Sequence, residues 1–234
     1  MMRVATYSQR RDEIETYFDR TAVDAWAKLT SDAPVNRIRA TVRAGRDRMR
    51  STLLGYLPDD LRGARVLDAG CGTGALAAAV AARGGDVLAI DISPRLISLA
   101  KERVRLPPGS GAIEFRVSDM VAADLGRFDW VVAMDSLIHY PADDMADMVA
   151  SLASRAARGL AFTFAPWTRT LSVMHAVGRL FPRGNRAPDI VPVAPMDLAR
   201  TLALRGMEAE FVLSRSARVD VGFYTSQTVE LVRR

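Results

Sequence analysis

The sequence predicts an α/β fold: a doubly wound, mostly parallel sheet of seven strands, with an antiparallel strand at its C-terminal end and a helical cap before it. Three observations predict it. Between about residues 64 and 165, apolar runs of strand length alternate with helix-period segments, the pattern of a parallel sheet flanked by helices. The glycine-rich turn GCGTG at 70–74 joins the first of these strands to the first of these helices. Aspartates at 68, 91, 119 and 135 stand at strand ends, where ligands of open α/β sheets bind.

The elements follow in order. Residues 7–31 read as an amphipathic helix, with Ile14, Tyr17, Phe18, Trp26 and Leu29 near helical spacing. A second helix spans 35–57, and Pro58 ends it. Together residues 1–58 form the expected cap, and 59–234 the main domain. ARVLDAG (64–70) is a buried-type strand, ALAAAVAAR (75–83) a helix, and DVLAID (86–91) a strand. SPRLISLAKERV (93–104) is a helix with Ser93 as its cap and Pro94 in its first turn. AIEFRV (112–117) and FDWVVAMD (128–135) are strands, followed by a helix near 143–156 and the strand GLAFTFA (159–165). An inserted lid is expected near 166–194, then a helix at 195–205 and strands near 207–216 and 222–232.

Composition narrows the function. At 234 residues, 49% apolar and 25% charged, the chain is globular in type. The apolar run 171–181 is too short to span a bilayer and contains His175 and Arg179. The N-terminal residues carry no apolar signal core, so a cytoplasmic protein is expected. One cysteine, Cys71, excludes an internal disulfide. No His/Cys cluster has metal-ligand spacing, so no protein-bound metal is expected. The net charge is +5 and lysine occurs only at 28 and 101. That arginine excess reflects genomic composition or an anionic partner. No aromatic-interleaved basic patch occurs, and nucleic acid is not expected as a partner.

The glycines carry the chemistry. Dinucleotide loops space them G-x-G-x-x-G, whereas here the spacing is G-x-G-x-G after Asp68. A carboxylate there suits a cationic ligand and opposes a pyrophosphate. Asp91 is placed to accept from ribose hydroxyls. Asp119 is placed to accept from an adenine amino group, with the Met120 N–H donating to the ring. Any one of these aspartates alone reads equally as a helix or turn cap.

The motif VLDAGCGTG and its frame over 60–165 resemble the S-adenosylmethionine-dependent methyltransferases of the Rossmann-like class. The resemblance implies that Gly70, Cys71, Gly72 and Gly74 face the methionine portion and that Asp68 lies near its amino group. Asp91 with Ile92 then serves the ribose, Asp119 with Met120 the adenine, and Met134 the same cofactor site. Cys71 is expected to pack rather than to act as a nucleophile.

YFDRTAVDAWAKL (17–29), MDSLIHYP (134–141), FTFAP (162–166), MHAVGRLFPRGNRAP (174–188) and GFYTSQTVELVR (222–233) resemble the magnesium-protoporphyrin IX O-methyltransferase family of the chlorophyll and bacteriochlorophyll pathways. The implied reaction is methyl esterification of a propionate on magnesium protoporphyrin, with S-adenosylhomocysteine as the second product. Such an acceptor is a flat apolar disc with carboxylates on one edge. The segment 171–186 offers apolar side chains together with His175, Arg179, Phe181, Arg183 and Arg186, as a lid over the disc would. A helix on the sheet edge with a solvated basic end has the same composition. His175 reads as an axial magnesium ligand or as a polar residue of the lid's outer face.

A propionate is ionised near neutral pH, with a pKa of roughly 4.3, so no general base is required. A firm arginine fork on the reacting carboxylate would stabilise the ground state; the arginines therefore belong to the other propionate or to docking. His139, Tyr140 and Tyr17 are the expected catalytic residues, orienting the reacting group as neutral donors. The resemblance also implies a magnesium chelatase subunit as neighbour. The oily, basic lid suggests peripheral contact with the photosynthetic membrane. Three rival readings stay open: a methyltransferase of another small apolar acceptor such as a quinone precursor, an RNA or protein methyltransferase, and a dinucleotide-binding module.

Overall fold

The computed structural model describes residues 7–21, 36–167 and 189–234, apart from the side chains of residues 20 and 21. Seven strands form one sheet: β1 (Arg65–Ala69), β2 (Asp86–Asp91), β3 (Ile113–Val117), β4 (Phe128–Ala133), β5 (Ala156–Phe164), β6 (Phe211–Val221) and β7 (Tyr224–Arg233). Their order is β3-β2-β1-β4-β5-β7-β6. β1 to β5 pair in parallel, and β7 runs antiparallel to both its neighbours.

Seven α-helices are described: α1 (Tyr7–Thr16), α2 (Arg37–Leu54), α3 (Ala75–Ala82), α4 (Pro94–Arg103), α5 (Ala142–Ala153), α6 (Pro195–Leu204) and α7 (Met207–Glu210). Period-2 alternation sends strand side chains to two cores. Leu67, Ile90, Val131 and Phe162 pack with Met148 and Leu152 of α5 and with Leu198 of α6. Val66, Ala89, Val132 and Ala161 pack with Met49 and Leu53 of α2 and with Leu76 and Val80 of α3. Thus α2 is built into one of the two helical layers, while α1 contributes Ile14 to the other core.

Three sequence expectations are corrected. The first helix does not run unbroken from residue 7: it changes at Tyr17 to a π-helical turn, Tyr17–Thr21. The turn at 207–210 is helical, not strand, and β6 begins at Phe211. Gly206 there adopts a left-handed conformation (φ 71°) that restarts the helix. β5 begins at Ala156, three residues before the expected start, because Ala156 already pairs with Phe128. Trp26, Leu29 and residues 168–188 of the expected lid lie outside the described residues.

Candidate active site

The loop after β1 is tied down by its own backbone. Gly70 and Cys71 both donate N–H bonds to the Ile90 carbonyl, at 2.8 and 2.9 Å. Gly70 has φ 81°, and a side chain there would also run into Ser136. Ser136 itself donates to the Ala69 carbonyl at 2.9 Å. The glycine turn and the end of β4 are therefore in contact across the sheet. Between them and the N-terminal helices lies a cavity of about 290 Å³.

Acids from successive strands enter its wall. Asp68, at the end of β1, is 1% exposed and has one carboxylate oxygen, Oδ2, with no hydrogen-bond partner among the described residues. Burial and then the charge of Asp91 push this carboxyl up to about 7, against the lowering effect of the Ala77 N–H. Asp91, at the end of β2, accepts from the Gly72 N–H through Oδ2 and from the Ser93 N–H through Oδ1, both at 2.9 Å. Burial raises its pKa and these N–H groups lower it. Burial, followed by Asp68 and Asp91, also pushes the Cys71 thiol up, which keeps it protonated and un-nucleophilic.

Asp119, after β3, faces the cap. Tyr7 donates its hydroxyl to Oδ1 at 2.7 Å, the Val121 N–H adds a bond at 3.1 Å, and Arg11 lies 3.5 Å from Oδ2. The Tyr7 ring stacks on Tyr140 at 5.6 Å. In the π-helical turn, Asp19 accepts from the Ser93 hydroxyl and the Arg95 N–H, both at 3.1 Å. The π-helical turn lets Phe18 line the cavity while its neighbour Asp19 caps α4.

Asp135, after β4, stands at a left-handed φ of 54°. Its carboxylate pairs with Arg46 of α2 at 2.7 Å. It also accepts from Tyr224 at 3.0 and 3.1 Å, Ser226 at 3.3 Å and Thr163 at 3.2 Å. α2 lies close to this cluster because Gly45 has no side chain: a Cβ there would sit 2.5 Å from the Tyr224 ring. Arg43, Arg46, Asp47 and Arg50 of α2 all line the cavity.

Comparison with known proteins places this arrangement. The family model for "Magnesium-protoporphyrin IX methyltransferase C-terminus" matches residues 133–233, and that for "Methyltransferase domain" matches 66–159. The magnesium-protoporphyrin O-methyltransferase of Rhodobacter capsulatus is 48% identical over 226 residues, covering 96% of this chain and 97% of its own. The chain belongs to the magnesium-protoporphyrin O-methyltransferase family. Two crystal structures of the family member from Synechocystis PCC 6803 align with it. The one with bound SAH has a TM-score of 0.83 at 29% identity, over 95% of this chain and 99% of that one. The one with bound SAM has 0.77 at 26%, over the whole of both.

In this O-methyltransferase the cavity brings together Asp68, Gly70, Cys71, Gly72, Asp91, Ile92, Asp119, Met120, Met134, His139 and Tyr140. Two other expected residues stand off its wall. Gly74, at φ 79°, is backed by the Phe115 ring, 2.8 Å from where its Cβ would be; it serves the turn and its packing. Tyr17 is absent from the lining, which includes its neighbour Phe18. His175, Arg179, Phe181, Arg183 and Arg186 lie outside the described residues.

His139 lines the cavity, and its ring is fixed from the far side. Its Nδ1 lies 3.3 Å from the Asp189 carbonyl oxygen, which only accepts, so the proton sits on Nδ1. Tyr140 is buried, and burial followed by Asp119 pushes its hydroxyl up, so it stays a phenol. Sequence reasoning missed Tyr7, Arg46 and Ser136. Only Arg46 carried a local signal, the spacing of arginines along α2.

Proposed function

We propose that the protein transfers a methyl group from S-adenosylmethionine to a propionate carboxylate of magnesium protoporphyrin IX, giving the monomethyl ester and S-adenosylhomocysteine. The observation that carries this reading is the division of one cavity between strand-tip acids and helix-borne arginines, in a chain 48% identical to a magnesium-protoporphyrin O-methyltransferase over nearly its full length.

The residues present fit the donor. When bound, S-adenosylmethionine supplies an electrophilic methyl group on a sulfonium. Asp68, with a buried carboxylate oxygen lacking a partner, suits its ammonium group. Asp91 is oriented by backbone N–H groups, those of Gly72 and Ser93 among them, and suits a ribose hydroxyl. Met120 and Asp119 suit the adenine. Gly70 and Gly72 hold the loop backbone in conformations that keep side chains out of the cradle.

For the acceptor, this chain's work is alignment and dehydration. Tyr7, Ile14 and Phe18 cover the cavity from the cap side, and removing water from a carboxylate raises its reactivity. The nucleophile needs no proton removed above a pH of roughly 5. A hydroxyl acceptor would instead call for a base such as His139, and the pH profile separates the two cases. With carboxylate as nucleophile, kcat/KM stays level from pH 7 down to about 5. With His139 as obligatory base, it falls below a pH of roughly 6.5.

The reading extends to a cytoplasmic protein that receives its porphyrin from a magnesium chelatase subunit and touches the photosynthetic membrane peripherally. The apolar substrate and the basic, apolar stretch 171–186 support this; no helix among the described residues is long and apolar enough to cross a membrane. The deciding experiment mixes purified protein, methyl-labelled S-adenosylmethionine and magnesium protoporphyrin IX. A labelled monomethyl ester is expected. Bound donor without product would remove the named acceptor.

A further inference from the structure

We propose that the face of α2 bearing Arg43, Arg46 and Arg50 is the carboxylate subsite of this cavity and holds the propionate that does not react. The inference rests on the functional reading above and names the groups that recognise the acid edge of the acceptor.

Spacing is the first support. Six arginines lie between residues 37 and 50. Arg43, Arg46 and Arg50, at i, i+3 and i+7, share one side of the helix, are half-buried and line the cavity. Arg37, Arg39 and Arg48 are exposed and do not line it. A merely solvated helix has no reason to turn three guanidinium groups into a cavity.

The second support is that Arg46 is held in place. Its partner Asp135 has only 5% of its side chain exposed and is gripped by Tyr224, Ser226 and Thr163 from β7 and β5. A guanidinium fixed this way loses little freedom on meeting a second carboxylate. Tyr224 is a positioning residue, acting on the ligand only through Asp135 and Arg46.

Third, charge is sorted along the row of strand tips. In the order β3-β2-β1-β4 the tips carry Asp119, Asp91, Asp68 and Asp135. The arginines join this row at its β4 end, through Asp135. On the α2 wall Arg50 pairs with Asp47 and Arg46 with Asp135, each at 2.7 Å. The β3-to-β1 stretch instead presents acids to the cavity, as a cationic donor requires. An arginine on the non-reacting propionate is equally well paired before and after methyl transfer, so it tightens binding without raising the barrier.

The test measures binding of magnesium protoporphyrin IX and of its dimethyl ester, alongside steady-state kinetics, in wild type, Arg43→Gln, Arg46→Gln and Arg46→Lys. Wild type should prefer the diacid. Each Gln variant should lose about tenfold or more in diacid affinity and KM, as expected for a charge-assisted hydrogen bond. Diester affinity, donor affinity and kcat should stay within about threefold. Arg46→Lys keeps the charge without the fork and should fall between. Arg43→Gln leaves the Asp135 cluster intact, so it decides the matter even if Arg46 variants fold poorly. A folded Arg43→Gln protein that keeps the full diacid preference overturns the inference and leaves the function standing. Wild type that binds the donor but neither porphyrin overturns both.

Discussion

At Asp68, burial and the neighbouring charge of Asp91 oppose ionisation, and the carboxyl is pushed up from 3.8 to about 7. Below a pH of about 4 it is protonated in folded and unfolded chains alike, and its contribution to stability is complete. Between about pH 4 and 7 the unfolded chain binds fewer protons than the folded one, so stability drains away over that window and the loss is complete above it. An ammonium ligand reverses the preference, because it favours the carboxylate. Donor affinity should therefore rise with pH between about 5 and 7, by up to roughly tenfold per unit, and then level off. Calorimetric titration across this range checks it, with Asp68→Asn expected to be weaker and flat. The same slope in Asp68→Asn would move the effect to another group. Asp68, Asp91 and Ser93 were legible because each stands beside a local marker, a glycine turn or a helix start. Asp135 was legible only as a strand-end acid. Its partners Arg46 and Tyr224 lie 89 residues before and after it, beyond any local pattern. His139 was legible from its place after β4, but its contact with the Asp189 carbonyl, 50 residues on, was not.

Helices and strands were mostly readable, and the failures have physical causes. α4 follows from Ser93 and Pro94: the serine hydroxyl accepts from the Leu96 N–H at 3.2 Å and proline leads the first turn. α1 was readable as a helix but not its end, because the π-helical turn is set by tertiary partners of Phe18 and Asp19. α7 was read as strand because four residues are too few for a period. The contact of α2 with β7 also escaped the sequence, since an isolated Gly45 in a helix looks like a weakness. Here it is a requirement. Gly45→Ala gains about 1 kcal/mol of helix propensity but drives a methyl into the Tyr224 ring, an overpacking cost of about 1–3 kcal/mol. A net loss of stability in urea titration is expected, together with weaker diacid binding as Arg46 shifts. A variant more stable than wild type would mean that α2 has room the structure does not show.

Taken whole, the molecule gathers acids on one continuous row of parallel strand tips and arginines where that row meets the N-terminal helices, the division on which the proposed donor and acceptor sites rest. The parallel half was legible from alternation alone; the lateral order, with β7 between β5 and β6, was not, because sequence periodicity says nothing of neighbours. A protein that handles an apolar, acidic porphyrin with a net charge of +5 should be drawn to anionic surfaces. Co-sedimentation with phosphatidylglycerol-containing vesicles is expected, and should weaken as salt shortens the screening length to a few ångströms, about 3 Å at 1 M. Equal pelleting with purely zwitterionic vesicles would remove electrostatics from the membrane reading. The placement of β7 also bears on birth of the protein. Because this strand follows all six others in the chain yet fills an interior slot, a nascent polypeptide lacking residues 224–226 has β5 with a bare, apolar flank and Asp135 without two of its donors. Ribosome-stalled intermediates cut just before that point should be chaperone-bound and sticky, and should become compact only once the closing strand has left the exit tunnel.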